Sequence, residues 1–205
     1  MSPVKKLLKI ITSLVDEHGL VPGQYSGAHM RAKYPAEGMK KSNITLTGGN
    51  EKGKGEVNMN DNKTYDLVTS ITDNAINCAV EAMNETKFVY FASDSHQALE
   101  YSVRKKRSRI KVITRHNNTV NSIHFDGDNE GNLHNTYPTI VDVWMLSHAK
   151  CISQGMGGFG HFASMLGGNH HTCRVRHRNY KNATLPCILS AGTVVRPNAA
   201  PFDYP

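Results

Sequence analysis

The segment 139–166 constrains the fold more than any other part of this 205-residue chain. It starts with an almost wholly apolar helix pattern around Trp144. Cys151–Gln154 then has the length and composition of a buried parallel strand, and a glycine-rich turn separates it from a second apolar helix, Phe159–Leu166. The order of strand, glycine turn and helix is typical of the place where α/β proteins hold phosphate groups.

The glycines of this turn predict a diphosphate site, because glycine lets the backbone approach a ligand and the N–H groups of the next helix attract negative charge. Gly155, Gly157 and Gly160 also match the GxGxxG pattern of dinucleotide-binding folds. A nicotinamide cofactor is disfavoured, because the turn lies late in the chain and Arg176 and Arg178 stand where an acidic ribose ligand is expected. The structural alternative is that the glycines only allow close packing of helix on strand.

Composition limits the chain to one ordinary α/β domain. We assign this domain to residues 1–190, with a long polar loop over 37–66, and expect an irregular tail over 191–205. The net charge of +7 suits an anionic ligand but does not select nucleic acid, because the basic residues are scattered. The basic run 104–109 is interpreted as the solvated end of a helix.

Several sequence features bear on the compartment. No apolar stretch approaches the length of a membrane span, and residues 4–15 have the pattern of an amphipathic helix. The four cysteines include no CxxC pair, so zinc is disfavoured and two disulfides are allowed without being required. Glycosylation sequons occur at roughly double the chance frequency, a hint of a lumenal protein. They begin at Asn43, Asn62, Asn84, Asn117 and Asn182.

Strands and helices alternate along the rest of the chain, which predicts a parallel, Rossmann-like sheet flanked by helices. The predicted strands are 24–32, 87–92, 109–113, 151–154 and 172–176, and the predicted helices between them include 69–83 and 95–105. Ligands bind at the carboxyl ends of the strands in such sheets. We therefore expect His29 and Arg31, Ser93 and Asp94, and the glycine turn to lie at one edge.

Each candidate has a structural alternative. Arg31 can pair with two phosphate oxygens at once, or it is a surface arginine at a strand exit. His29 is two residues earlier and is either a ligand or a satisfied structural histidine. Asp142 follows Thr139 at capping-box spacing, and Asp94 precedes Gln97 in the same way, so both carboxylates are candidates for helix caps as well as for ligand contacts.

Asp126 and Asp128 form a DxD motif that would suggest a metal-bridged nucleotide sugar, and the run resembles the first half of a calcium loop. Position 12 of that loop is Tyr137 where glutamate is required, and helical flanks are missing. We interpret the run as a solvated turn and expect no metal site. No Ser-His-Asp pattern and no GxSxG motif is discernible.

Three segments together resemble the C-terminal, donor-binding half of GDP-fucose-dependent fucosyltransferases, the group of α1,6-fucosyltransferases and protein O-fucosyltransferases with a GT-B-like fold. The HxR motif of that family is matched by His29-Met-Arg31. Its strand ending in an acidic residue is matched by residues 88–94, and its last motif by residues 142–151 with the following turn. The resemblance covers roughly residues 4–173.

The resemblance implies a glycosyltransferase that uses GDP-fucose as donor and requires no cofactor or metal. It implies that Arg31 is the catalytic residue, which holds the β-phosphate and neutralises the departing GDP. His29 and Asp142 would contact the guanine, and Ser93 and Asp94 would shape the donor pocket. The amides of the turn would bind the diphosphate; its residues are Gly157, Gly158, Phe159 and Gly160.

The resemblance also sets expectations for the whole protein. The acceptor would be a glycan or glycoprotein, the location the lumen of the Golgi or endoplasmic reticulum, and nucleic acid would not be a partner. Because only the donor-side domain is recognised, we expect any membrane anchor and the other half of the cleft to lie outside this chain. Ala32 replaces a second arginine and glycines replace serines in the phosphate turn, so linkage is left open. The alternatives are an NADP-dependent oxidoreductase and a non-catalytic nucleotide-sugar or carbohydrate-binding domain.

Overall fold

Helices and strands alternate along the chain. The computed structural model describes residues 2–31, 46–50, 54–57, 62–83, 86–115, 133–155, 158–167, 173–177, 187–188 and 194–195. The helices are α1 (Pro3–His18), α2 (Asn62–Met83), α3 (His96–Arg104), α4 (Leu133–Ser147) and α5 (Phe159–Leu166). The strands are β1 (Ser26–Met30), β2 (Leu46–Asn50), β3 (Lys54–Val57), β4 (Phe88–Ser93), β5 (Lys111–Ile113), β6 (Cys151–Gln154), β7 (Cys173–His177), β8 (Cys187–Ile188) and β9 (Val194–Val195).

A parallel sheet lies at the centre of the described structure. Its five parallel strands follow the order β5-β4-β1-β6-β7, and the short strands β8 and β9 both pair antiparallel with β7. Helices cover the sheet, so the predicted α/β, Rossmann-like fold is confirmed.

The strand order reverses at β1. From β1 the chain runs outward through β4 to β5, and it then returns to place β6 and β7 on the other side of β1. The carboxyl ends of β1 and β6 are therefore the switch point of the strand order, where ligands of open α/β sheets bind. We refer to the space beside these two strand ends as the crevice.

Two apolar layers hold the helices against the sheet. Leu14 of α1 and Leu146 of α4 belong to one buried cluster, and Ile71 of α2 and Leu99 of α3 belong to another. Every residue of β1 is buried, as expected of a strand that is covered on both faces. At the first helix, Ser2 caps the amino end by accepting a hydrogen bond from the Lys5 amide at 3.4 Å.

Two disulfides join the cysteines that the sequence left open. Cys78 of α2 is bonded to Cys187 of β8, and Cys151 is bonded to Cys173 at the amino ends of β6 and β7. The Cα atoms of the two pairs are 5.0 and 4.6 Å apart. With all four thiols in disulfides, no cysteine is available as a zinc ligand or nucleophile.

The predicted loop over 37–66 is wrong for the residues that the structure describes. β2 and β3 form an antiparallel pair of their own, and α2 begins at Asn62, seven residues before the predicted helix start at 69. The segment lacks apolar alternation, and antiparallel pairing uses backbone groups that carry no sequence signal. The tail is likewise not wholly irregular, since Val194–Val195 pairs with β7.

Other boundaries differ by a few residues. β1 and β5 are shorter than the predicted strands, β4 and β7 are each shifted by one residue, and β6 and α5 coincide with their predictions.

None of the described helices is long and apolar enough to cross a membrane.

Candidate nucleotide site

The carboxyl ends of β1 and β6 bring the predicted histidine and the glycine turn together. His29 of β1 lies in register with Gln154, the last residue of β6, and the Gly155 amide donates to the His29 carbonyl at 3.2 Å. The His29 ring lies 4.7 Å, between ring centroids, from Phe159 at the start of α5. His29 is therefore packed at the junction of strand and helix, with only 6% of its surface exposed.

Glycine at position 160 allows α5 to lie directly against β6. A Cβ atom there would be 2.9 Å from the Gln154 Cβ, closer than real Cβ atoms approach, and 3.7 Å from the His29 Cβ. The third glycine of a GxGxxG turn has this role of close helix–strand packing. Gly160 is thus required for the close packing of helix on strand, as the structural alternative proposed, and this packing sets the position of the helix terminus. The diphosphate site stays a prediction.

The amino end of α5 presents uncapped backbone amides. Gly158 is the N-cap residue and has no side chain to accept from the first N–H groups, which have no acceptor inside the helix. A Cβ atom on Gly158 would meet nothing within 4 Å, so there is space around the cap. This terminus can bind an anion. Gly157 lies outside the described residues.

Arg31 directly follows β1 at the same edge of the sheet and is partly buried. Its neighbours across the sheet are Ser93 and Asp94, because Met30 pairs with Ser93 in the β1–β4 register. The ends of β4, β1 and β6 are thus adjacent, and they bring together the described residues that the sequence predicted for the donor site, apart from Asp142.

Asp94 is not the helix cap that its spacing suggested. Ser95 is the N-cap of α3, and its hydroxyl accepts from the Ala98 amide at 3.3 Å. Ser93 contributes to the same turn, since its hydroxyl accepts from the Ser95 amide at 3.2 Å. Asp94 is 7% exposed at the end of β4, and its role in a donor pocket stays a prediction.

Asp142 lies inside a helix, not at a helix end. α4 begins at Leu133, six residues before Thr139, so the capping-box interpretation is wrong. The Tyr90 hydroxyl donates to Asp142 Oδ1 at 2.7 Å, and Arg115 forms an ion pair with Oδ2. Only 2% of Asp142 is exposed. The implied guanine contact stays a prediction and would require hydrogen bonds in addition to these two.

Arg115 is a residue of this edge that the sequence analysis missed. It follows β5 by two positions, is 4% exposed, and donates through Nη2 to the Ser93 carbonyl at 3.3 Å. It therefore links Asp142 of α4 to the end of β4. The signal was an arginine just after an apolar strand, the same signal that identified Arg31.

Burial and charge act together on Tyr90. Loss of water raises the pKa of the Tyr90 hydroxyl well above its ordinary value of 10.0, and the Asp142 carboxylate raises it further. The hydroxyl stays protonated and continues to donate to Asp142. In the cluster of Tyr90, Arg115 and Asp142, the charge of the carboxylate is thus compensated by the guanidinium, and hydrogen bonds connect β4, α4 and the end of β5.

The basic run 104–109 lies where α3 ends, as predicted. Arg104 pairs with Glu100, and Lys105 and Arg107 hold Asp73 of α2 at 2.6 and 2.8 Å. A helix that connects parallel strands runs back toward their amino ends. This end of α3 is therefore at the opposite edge of the sheet from the crevice.

No group of three or more His, Cys, Asp or Glu among the described residues could hold a metal ion. Asp126 and Asp128, the residues of the predicted solvated turn with the DxD motif, lie outside the described residues. A scan against protein-family models and a search of curated proteins give no match to this sequence.

Proposed function

We propose that the chain is the donor-binding domain of a fucosyltransferase-like glycosyltransferase that uses GDP-fucose. The observation that carries the proposal is the meeting of His29, Arg31 and the amino end of α5 at the crevice where the strand order reverses. One arginine and a row of helix amides at one crevice suit a diphosphate. GDP-fucose is proposed over other nucleotide sugars because the order of the three motifs resembles that of the GDP-fucose-dependent fucosyltransferases.

The proposed chemistry depends on stabilising the leaving group. Departure of the sugar through an oxocarbenium-like transition state places negative charge on the diphosphate. The amides of α5 and the Arg31 guanidinium would stabilise this charge, and donors that are fixed before the reaction do so without reorganisation.

Stabilisation by arginine and amides does not require a metal ion, so EDTA should leave GDP binding intact. The variant carrying Asp126→Asn and Asp128→Asn should bind GDP as the parent does, whereas strong manganese dependence would favour the DxD motif as a metal site.

The proposed location is the lumen of the Golgi or endoplasmic reticulum. Two disulfides support an oxidising compartment, and the sequons at Asn43, Asn62, Asn84, Asn117 and Asn182 point the same way. The proposed acceptor is a glycan or glycoprotein.

One observation keeps an NADP-dependent oxidoreductase as a second candidate. Arg176 of β7 is exposed and lies in register with Gln154, next to the crevice. A 2′-phosphate on a dinucleotide would be recognised by such an arginine. Arg178, the other arginine of this hypothesis, lies outside the described residues.

A nucleotide panel separates the candidates. Thermal unfolding of the purified chain is measured with GDP, GDP-fucose, UDP, ADP and NADP, since a ligand that binds only the folded state raises the unfolding temperature. We expect GDP and GDP-fucose to raise it most. A larger shift with NADP would favour the oxidoreductase, and the absence of any shift would favour a domain that does not bind nucleotides. Arg176→Ala is the matched variant, because it should weaken NADP binding and leave GDP binding unchanged.

A further inference from the structure

Gln154 lies beside the crevice and has no role in the proposed chemistry. It ends β6, it is in register with His29, and its Cβ limits the approach of Gly160. Its side-chain oxygen Oε1 lies 3.4 Å from the position that a Cβ of Gly160 would take. The carboxamide therefore lies at the end of β6, against the first turn of α5.

The Gln154 Oε1 atom is buried but accepts no hydrogen bond within the described part of the chain. Buried polar atoms of native proteins nearly always have a partner, and an acceptor that is removed from water without a donor is destabilising. The amides of α5 beside it do not donate to it. A donor from a bound molecule would complete the site.

The chemistry of a nucleotide sugar limits which group can supply that donor. The ionised diphosphate has only acceptor oxygens, so it cannot donate to an amide oxygen. The groups nearest to either end of the diphosphate are sugars, the ribose on one side and the transferred hexose on the other. Guanine also carries N–H donors but lies beyond the ribose, and a contact to guanine would affect all four ligands of the test below equally. Both sugars carry hydroxyl groups, which donate readily to a carboxamide oxygen.

We infer that Gln154 accepts a hydrogen bond from a sugar hydroxyl of the bound nucleotide sugar. The inference rests on the proposed function, because it places the diphosphate on α5. It adds a specificity residue that recognises a sugar hydroxyl, whereas Arg31 and the helix amides recognise charge. Loss of one such neutral hydrogen bond should weaken binding about 3- to 10-fold.

Calorimetry with hydroxyl-deleted ligands tests this assignment. Dissociation constants are measured for GDP, 2′-deoxy-GDP, 3′-deoxy-GDP and GDP-fucose with the parent chain and with Gln154→Met, which keeps the length of the side chain. Gln154→Glu keeps an acceptor oxygen and should preserve the discrimination between GDP and its deoxy analogues, even where the added charge weakens binding of all diphosphates. Gln24→Met is the matched control, because Gln24 is exposed before β1 at the opposite edge of the sheet. Thermal unfolding verifies that each variant is folded.

A ribose contact predicts that Gln154→Met weakens GDP and GDP-fucose equally and does not weaken the analogue that lacks the contacted hydroxyl. A contact to fucose predicts that only GDP-fucose is weakened. Equal affinity of parent and Gln154→Met for all four ligands, or an equal loss for all four, would overturn the assignment while the proposed function stands. A parent chain that binds no GDP would overturn both.

Discussion

Arg115 and Asp142 form an ion pair in which both side chains are almost fully buried, with 4% and 2% of their surfaces exposed. The pair joins the end of β5 to the middle of α4, and Tyr90 adds a hydrogen bond from β4. Two charges removed from water are tolerated only when each is compensated by the other and by further hydrogen bonds. Here the Ser93 carbonyl and the Tyr90 hydroxyl supply those further bonds.

Removing one partner of this pair is expected to destabilise the fold strongly. Arg115→Met leaves the Asp142 carboxylate buried without its counter-charge, which costs about 3–5 kcal/mol of unfolding free energy. Replacing both partners, as Arg115→Met with Asp142→Leu, should recover most of that loss, because no uncompensated charge remains. Urea unfolding of the single and double variants measures the coupling.

Glu100→Gln is the matched surface control, because it breaks the pair with Arg104, whose side chain is 77% exposed. Exposed pairs contribute about 0–1 kcal/mol. A loss from Arg115→Met no larger than the loss from Glu100→Gln would contradict the described burial of the Arg115–Asp142 pair.

Stability should fall in alkaline solution because of Tyr90. Its pKa is raised in the folded chain above the ordinary 10.0, by burial first and then by Asp142. Below pH 10 both states keep the proton, so the stabilisation is fully present there. Above that pH only the unfolded state releases it, and unfolding becomes easier by about 1.4 kcal/mol per pH unit for one such group.

The measurement is urea unfolding at pH 8 and pH 11 for the parent and for Tyr90→Phe. The variant lacks the hydroxyl and should lose less stability between the two pH values than the parent does. Burial also raises the pKa of Tyr25, so Tyr25→Phe should behave in the same way. Identical pH dependence in all three chains would contradict the raised pKa values.

The sequence predicts those parts of the site that depend on local order. β6 and α5 coincide with their predictions because a short apolar run bounded by Lys150 and glycine leaves few alternatives. The partners of Asp142 were missed because they lie 27 and 52 residues away in sequence. Local spacing instead suggested a cap, an interpretation that fails once α4 extends to Leu133. Only the packed sheet brings these three residues together.

Alanine at position 160 should be poorly tolerated although alanine favours helices. The added Cβ would lie 2.9 Å from the Gln154 Cβ, so strand and helix would have to separate. Overpacking of this kind costs about 1–3 kcal/mol. Gly158→Ala is the matched control, since its Cβ would meet nothing within 4 Å, and it should cost less than about 1 kcal/mol. Thermal unfolding that ranks the two variants in the opposite order would contradict the close contact of α5 with β6.

Both disulfides should raise the free energy of unfolding, and the disulfide that closes the longer loop should raise it more. Cys78–Cys187 closes a separation of 109 residues and Cys151–Cys173 one of 22 residues. The chain-entropy model then gives about 4–5 and about 3 kcal/mol, respectively. Urea unfolding of the paired variants Cys78→Ala with Cys187→Ala, and Cys151→Ala with Cys173→Ala, measures each loss. Unchanged unfolding midpoints would mean that the cysteines are not paired as described.

Arg31→Ala decides whether the end of β1 binds the diphosphate. Arg31 follows β1 at the crevice, and a charge-assisted contact to phosphate contributes about 1.5–3 kcal/mol, so GDP affinity should fall about 10- to 100-fold. Arg31→Lys keeps the charge but loses the two-pronged geometry, and it should give an intermediate affinity. Arg104→Ala is the matched control, because Arg104 is exposed in the last turn of α3, away from the crevice. Calorimetry on the three variants and the parent gives the comparison. GDP affinity that is the same for Arg31→Ala and for Arg104→Ala would remove Arg31 from the site, and with it the proposed stabilisation of the leaving group.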